Sequence, residues 1–341
     1  MRLVTPTPYP DRASARDQWI LDRRPERNAV DPRRPYGFFV EQERTATGEL
    51  VPIATILLTN RECPWRCLMC DLWRNTLIES VPSGTIPEQI DYALPRLASA
   101  RHIKLYNSGS FFDPHAIPPE DYQAIADRVS SFERVIVESH PSLVGDRCLR
   151  FRDLLSGQLE VAMGLETVHP EALERLNKRM TLDQFAAAAE RLGTNSIDLR
   201  VFILVQPPFT PREEALHWAE RSLDFAFDCG ATATTLIATR AGNGATDPLL
   251  QNGDFVPPDL RTVEQALDYG IQRNRASVFQ DRVLPGRVFP CRVFVDLWDI
   301  ERVAACPACR PQRIARIAAM NRSQSLAAEV PCEICGGAIA R

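Results

Sequence analysis

The run IATILLT at residues 53–59, followed almost at once by ECPWRCLMCD at residues 62–71, decides the reading of this chain. An unbroken apolar run of that length reads as a buried strand. The loop behind it carries Cys63, Cys67 and Cys70 within eight residues. So short a loop can turn three thiolates onto three corners of an iron–sulfur cubane and leave the fourth iron without a protein ligand. A small molecule with an amine and a carboxylate can then chelate that iron and take an electron from it. The plainer reading is a structural zinc or cluster site completed by a distant cysteine, with Cys148, Cys229 and Cys291 as candidates.

Outward from this loop, strand-like runs recur near residues 101–106, 134–139, 159–165, 197–205, 232–238 and 290–297. Helix-like segments lie between them at 87–99, 120–130, 170–178, 182–192, 211–226 and 261–274. Such alternation predicts a parallel sheet with helices outside it, in the α/β class. Connections of one hand curl the sheet into a partial or full barrel whose site lies at the carboxyl ends of the strands. A doubly wound sheet is the rival architecture. Thr181 with Gln184, and Thr210 with Glu213, have capping-box spacing. Three regions are expected: an extended basic segment over 1–50, the barrel over 51–300, and a four-cysteine module over 301–341.

The strand ends supply polar groups. Asn107, Ser108 and Gly109 follow the second barrel strand, where the glycine permits close backbone approach and the other two offer hydrogen bonds to an ammonium or carboxylate. Glu138 and Glu166 end the third and fourth strands. Buried carboxylates there need partners, and ribose hydroxyls are suitable ones, as are a local Arg or a loop amide. Gln206 opens the rigid segment QPPF at 206–209 beside the expected active face. Arg240, in RAGNG at 240–244, can meet a carboxylate or face solvent.

The spacing of Cys63, Cys67 and Cys70 resembles the signature of the radical S-adenosylmethionine superfamily. That resemblance implies a partial (β/α)6 barrel, a [4Fe-4S] cluster, S-adenosyl-L-methionine bound to its open iron, and reductive formation of a 5'-deoxyadenosyl radical. It also implies an electron donor such as flavodoxin or ferredoxin. Met69 stands where the superfamily often has an aromatic residue, and a thioether can pack against adenine. Asn107–Gly109 is similar to the segment that meets the methionyl amine, though the usual Gly-Gly-Glu order is missing. Residues 164–181 resemble the Elongator-like tRNA-modifying branch, which implies a ribose contact at Glu166 and a basic turn at Asn177, Lys178 and Arg179. QPPF at 206–209 and NGDFVPPDL at 252–260 resemble archaeosine-biosynthesis enzymes, which act with a partner enzyme on a lysine-bearing 7-deazaguanine base in tRNA.

Cys306, Cys309, Cys332 and Cys335 form two knuckles, with Gly336 and Gly337 after the last. They fit Zn2+ in a ribbon-like module or an auxiliary iron–sulfur cluster. Arg310, Arg313 and Arg316 recur at helical spacing, as a face for RNA phosphates or as a solvated charged helix. The 341 residues carry a net charge of −4 and are 45% hydrophobic, which argues against a chain that coats nucleic acid. Aliphatic runs such as 201–205 are too short for a bilayer, no apolar signal core is present, and thiols are clustered. A cytoplasmic protein without membrane contact is therefore expected. Three functions compete: radical chemistry on tRNA or a modified nucleobase, radical chemistry on a small metabolite or peptide, and non-catalytic metal-binding interaction.

Overall fold

In the computed structural model of the chain, eight strands form one sheet whose spatial order is their chain order. The structure describes residues 8–278 and 291–335, without the side chains of 275–278; Gly336 and Gly337 lie outside the described residues. The strands are β1 (Gly37–Arg44), β2 (Leu50–Leu57), β3 (His102–Tyr106), β4 (Arg134–Glu138), β5 (Gln158–Glu166), β6 (Asp198–Val205), β7 (Ala233–Ala238) and β8 (Arg292–Val295). β1 pairs antiparallel with β2, and every later pair is parallel.

Helices α1 (Ala13–Leu21), α2 (Thr85–Ala93), α3 (Tyr122–Arg128), α4 (Asp146–Leu154), α5 (Pro170–Arg175), α6 (Leu182–Thr194), α7 (Ala215–Asp228), α8 (Asp247–Asn252), α9 (Leu260–Val278) and α10 (Arg310–Ser323) complete the fold. Each parallel strand lies beside its predecessor, so connections of one hand keep the helices on one side and curl the sheet into a half-barrel. The doubly wound alternative is thereby set aside. Ile103, Leu105, Val135, Val137, Val161 and Met163 pack with Ile90, Ile125, Phe151 and Leu223 of the helices in the main core. Among the described residues no helix is long and apolar enough to cross a membrane.

Several local expectations change. The amino-terminal segment contains α1 and the edge strand β1. The box at Thr181 forms, with Gln184 N donating to Thr181 Oγ1 at 3.2 Å and Thr181 N donating to Gln184 Oε1 at 3.0 Å. The one at Thr210 does not: Pro211 is extended at ψ 143°, and a 3-10 turn starts after it with no side-chain cap. Arg313 and Arg316 are buried rather than facing RNA or solvent. α10 lies against α9, where Glu264 pairs with Arg313, and Asp268 meets Arg316 at 2.9 Å. Buried guanidinium groups require such partners.

The inner face carries an ionic floor near the amino ends of the strands. Lys104 reaches Glu43 at 2.9 Å, and Arg200 binds Glu43 at 2.5 Å and Glu160 at 2.6 Å. Arg134 and Arg292 approach Glu160 at 3.1 and 3.4 Å. Burial alone would raise the Glu160 carboxyl, but Arg200, Arg292 and Arg134 outweigh it and hold it at about 2. A carboxyl depressed in the folded state contributes stability above its unfolded value of 4.5 and loses it as pH falls toward 2. Glu160→Gln should therefore cost about 3–5 kcal/mol of unfolding free energy at neutral pH. In urea titrations its deficit relative to wild type should narrow as the pH drops through that window; a constant deficit would contradict the assignment.

Candidate functional site

The loop after β2 is tied down through its backbone and its flanking side chains. Gln89 of α2 clamps Thr59, accepting from its N–H at 2.8 Å and donating to its carbonyl at 2.7 Å. Glu62 is gripped by Arg24 at 2.6 Å, by Arg27, and by Arg66 at 3.2 Å. Trp65 stacks on His140, with ring centroids 3.8 Å apart and planes 11° apart. Burial, then the nearby Lys178 charge, lowers the His140 pKa to about 3. The ring is thus neutral; its Nδ1 accepts from Ser142 N, so Nε2–H donates to Lys178 O at 3.0 Å.

Further along, Leu68 is fully buried in a second apolar cluster with Tyr9, Trp19, Ile20, Leu249 and Phe255. Its N–H donates to Leu176 O at 2.9 Å. Asn177 donates to Arg66 O at 2.8 Å, and Asn243 donates to Leu68 O at 2.8 Å and Cys70 O at 3.2 Å. These bonds occupy the loop's backbone and leave sulfur for other work. Burial pushes the Cys63, Cys67 and Cys70 thiols up to about 12. Thiols so placed give up their protons to a bound metal rather than to water. The donor set fits an iron–sulfur cluster held by three cysteines. The lone cysteines lie elsewhere: Cys148 and Cys291 sit in the main core, and Cys229 packs against it.

At the carboxyl ends of the strands, buried polar atoms lack protein partners. They include both amide atoms of Asn107 after β3, Gln206 Nε2 after β6, and Thr59 Oγ1 and Asn60 Oδ1 after β2. Ser108, Glu166 and Gln206 have φ of 55°, 66° and 54°, a strained region for residues with side chains that concentrates at functional sites. Ser108 Oγ lies 2.8 Å from Tyr36 Oη. Gly109 abuts the cluster loop so closely that a Cβ would stand 3.2 Å from Cys63 Cβ.

The two carboxylates already have duties within the protein. Glu138 Oε1 accepts from Asn107 N at 2.7 Å and Gly109 N at 3.3 Å, while burial raises its pKa to about 7. Glu166 accepts from Lys178 Nζ at 2.6 Å, and Gly164 leaves room for that pair. Met69 is half-buried in the loop. Arg240 turns to the segment after β8, donating to Trp298 O at 2.9 Å and facing Asp299 at 3.6 Å. Sequence reading chose Arg240 from this stretch and passed over Asn243, the residue that grips the cluster loop. Its signal was its place between Gly242 and Gly244, both at positive φ. The His140–Trp65 stack left no local signal, because the two residues lie on different strand-end loops.

The carboxyl-terminal group is assembled too. Cys306 and Cys332 place their sulfurs 3.9 Å apart, Cys309 and Cys335 3.8 Å apart, and all four ligand atoms lie within 4.8 Å of one another. Such a group can bind a metal.

No protein-family model matches the chain. It is 23% identical over 258 residues to an uncharacterized protein of Methanocaldococcus jannaschii, covering 71% of each chain. It is 25% identical over 227 residues to archaeosine synthase subunit beta of Methanosarcina acetivorans, covering 62% of this chain and 65% of that one. The same subunit from Thermococcus kodakarensis is 25% identical over 171 residues, or 48% of this chain and 53% of that one. Solved structures similar to the chain include a radical S-adenosylmethionine methyltransferase of Kitasatospora setae. That match has a TM-score of 0.42 and 15% identity and covers 54% of this chain and 36% of that one. Coproporphyrinogen III oxidase of Escherichia coli, a radical SAM enzyme, matches with a TM-score of 0.43 and 10% identity, over 65% of this chain and 51% of that one.

Gly109→Ala tests the contact between the β3 loop and the cluster loop. The added methyl group should displace Cys63 and lower the iron and sulfide bound per chain after anaerobic reconstitution by at least half, with circular dichroism unchanged. Full iron loading would show that the two loops are not mechanically coupled.

Proposed function

We propose that the chain cleaves S-adenosylmethionine reductively at a [4Fe-4S] cluster and directs the resulting 5'-deoxyadenosyl radical at a modified base of tRNA, beside a partner subunit. One observation carries the first half. Three half-buried thiols stand on a loop whose carbonyls are gripped from three other segments, in a fold that leaves buried carboxamides without partners at the carboxyl ends of its strands. When bound, the cluster supplies an electron and one open iron for the methionyl amine and carboxylate.

The chain's own residues do the rest. Cys63, Cys67 and Cys70 hold the cluster. Asn107 and Gln206 meet the ligand's polar groups and thereby satisfy their own. Gly109 and Ser108 bring backbone close to the ligand, and Met69 packs on its adenine. Glu138 fixes the β3 loop, and Glu166, oriented by Lys178, faces the ribose. Arg240 guards the rim where a carboxylate enters. The electron comes from a donor such as flavodoxin or ferredoxin, in the cytoplasm.

The second half rests on the two relatives named archaeosine synthase subunit beta, a name that implies a further subunit, and on the QPPF resemblance. It points to a lysine-bearing 7-deazaguanine base. A small metabolite or peptide is the second reading, favoured by one observation: Arg313 and Arg316, which would have led RNA toward the barrel, are engaged in internal ion pairs.

Anaerobic reconstitution with a strong reductant and S-adenosylmethionine should yield 5'-deoxyadenosine, and Cys67→Ala should abolish it. Asn107→Ala should weaken S-adenosylmethionine binding about tenfold, the worth of one or two hydrogen bonds. tRNA bearing the lysine-modified base should accelerate 5'-deoxyadenosine formation; acceleration by small metabolites alone would shift the reading to the second substrate class. A complete cluster that neither binds nor cleaves S-adenosylmethionine, with or without tRNA, would leave a metal-binding interaction protein.

A further inference from the structure

A curled sheet that stops at β8 leaves a seam between β8 and β1, and helix α10 lies along it. On one side, carboxamides of the helix stand in for a missing strand. Val293 N donates to Gln324 Oε1 at 2.7 Å, and Gln324 Nε2 donates to Val293 O at 2.8 Å. Asn321 repeats the pattern on Val295, at 2.9 and 2.8 Å. On the other side, Arg44 at the end of β1 donates to Arg322 O at 3.2 Å, and Arg292 of β8 reaches Arg44 O at 3.3 Å. An exposed strand edge invites pairing with other chains, and side chains that occupy its peptide groups remove the invitation.

The four carboxyl-terminal thiols flank this helix. Cys309 is its amino-terminal cap, with Cys306 just before it and Cys332 and Cys335 beyond its other end. Their spacing distinguishes what they can hold. A tetrahedral zinc ion with sulfur at about 2.3 Å separates its ligands by about 3.8 Å. The observed separations are 3.9 and 3.8 Å, with every pair inside 4.8 Å. Thiolates bound one to each iron of a four-iron cube radiate from its corners and stand farther apart. A two-iron cluster would hold two close pairs away from each other. One ion shared by all four thiols fits, and among common divalent ions thiolates hold zinc more tightly than ferrous iron. Four thiolates on a divalent ion carry excess negative charge. Arg313 Nε donates to Cys309 Sγ at 3.2 Å and Arg261 Nη2 to Cys335 Sγ at 3.6 Å, so each knuckle has a guanidinium donor.

We propose that Cys306, Cys309, Cys332 and Cys335 hold a single zinc ion, and that this ion is the latch that keeps α10 across the seam of the barrel. The latch is independent of the radical chemistry. The full chain carrying Cys63→Ala, Cys67→Ala and Cys70→Ala, expressed with iron and zinc both supplied, should contain one zinc per chain and no sulfide. Iron in place of zinc, alone or with sulfide, would overturn the assignment.

Hydrogen exchange reads the latch itself. Stripping zinc from the full chain with a chelator should speed exchange of the Val293 and Val295 amides at least tenfold relative to the zinc-loaded protein, while amides of β4 and β5 stay protected. Asn321→Ala combined with Gln324→Ala should speed the same two amides with zinc still bound. Unchanged exchange after complete zinc loss would sink the latch, as would unchanged exchange in the double variant.

Discussion

Three thiols stand on a loop whose peptide groups have to be satisfied by other parts of the protein. This requirement explains why distant parts of the chain converge on residues 59–71. Gln89 from α2, Asn177 from the turn after α5 and Asn243 from the loop after β7 each present a carboxamide to a loop backbone group. A carboxamide suits the task because it offers donor and acceptor without charge. The charges near the loop are paired, Glu62 with its arginines and Lys178 with Glu166.

The two ends of the barrel follow opposite rules. At the floor, Glu43 and Glu160 are matched by Lys104, Arg134, Arg200 and Arg292, so burial costs little beyond what the pairs return. At the mouth, Asn107 and Gln206 are buried and unmatched. Each such group costs on the order of 1–3 kcal/mol while it has no partner. The floor's buried charges gather at the amino ends of the strands, and the carboxyl ends offer neutral polar groups without partners. The positive φ angles of Ser108, Glu166 and Gln206 also lie at the carboxyl ends.

The parallel strands and their order were legible because each is an apolar run bounded by polar residues, and the cysteine loop was legible because three ligands fall within eight residues. β1 was hidden: GFFVEQER places Glu43 on the ionic floor, so its polar residues masked a strand. The cap expected at Thr210 failed because Pro211 can be extended as readily as helical, and local spacing carries no information about which. Among the site residues, those next to a cysteine or a strand end could be named from sequence. Those that act through a carbonyl from afar were harder to name: His140 left no trace, and Asn243 left only its place between two glycines.

Arginine shows the same limit most sharply. The Pro/Arg-rich start of the chain reads as a basic surface, yet Arg16 is buried and bound to Glu174, and Arg24 lies over Trp73 while gripping Glu62. At the other end Arg313 and Arg316 turn onto α9. A guanidinium has five donors on a planar, weakly hydrated group, so it serves as an internal clamp as well as it serves a phosphate. Sequence spacing says that arginines share a face; only the carboxylates and carbonyls opposite decide whether that face looks inward. Here they look inward at both ends, and the two segments that carry them, the amino-terminal wrap and the seam helix, brace the barrel from outside its own sheet.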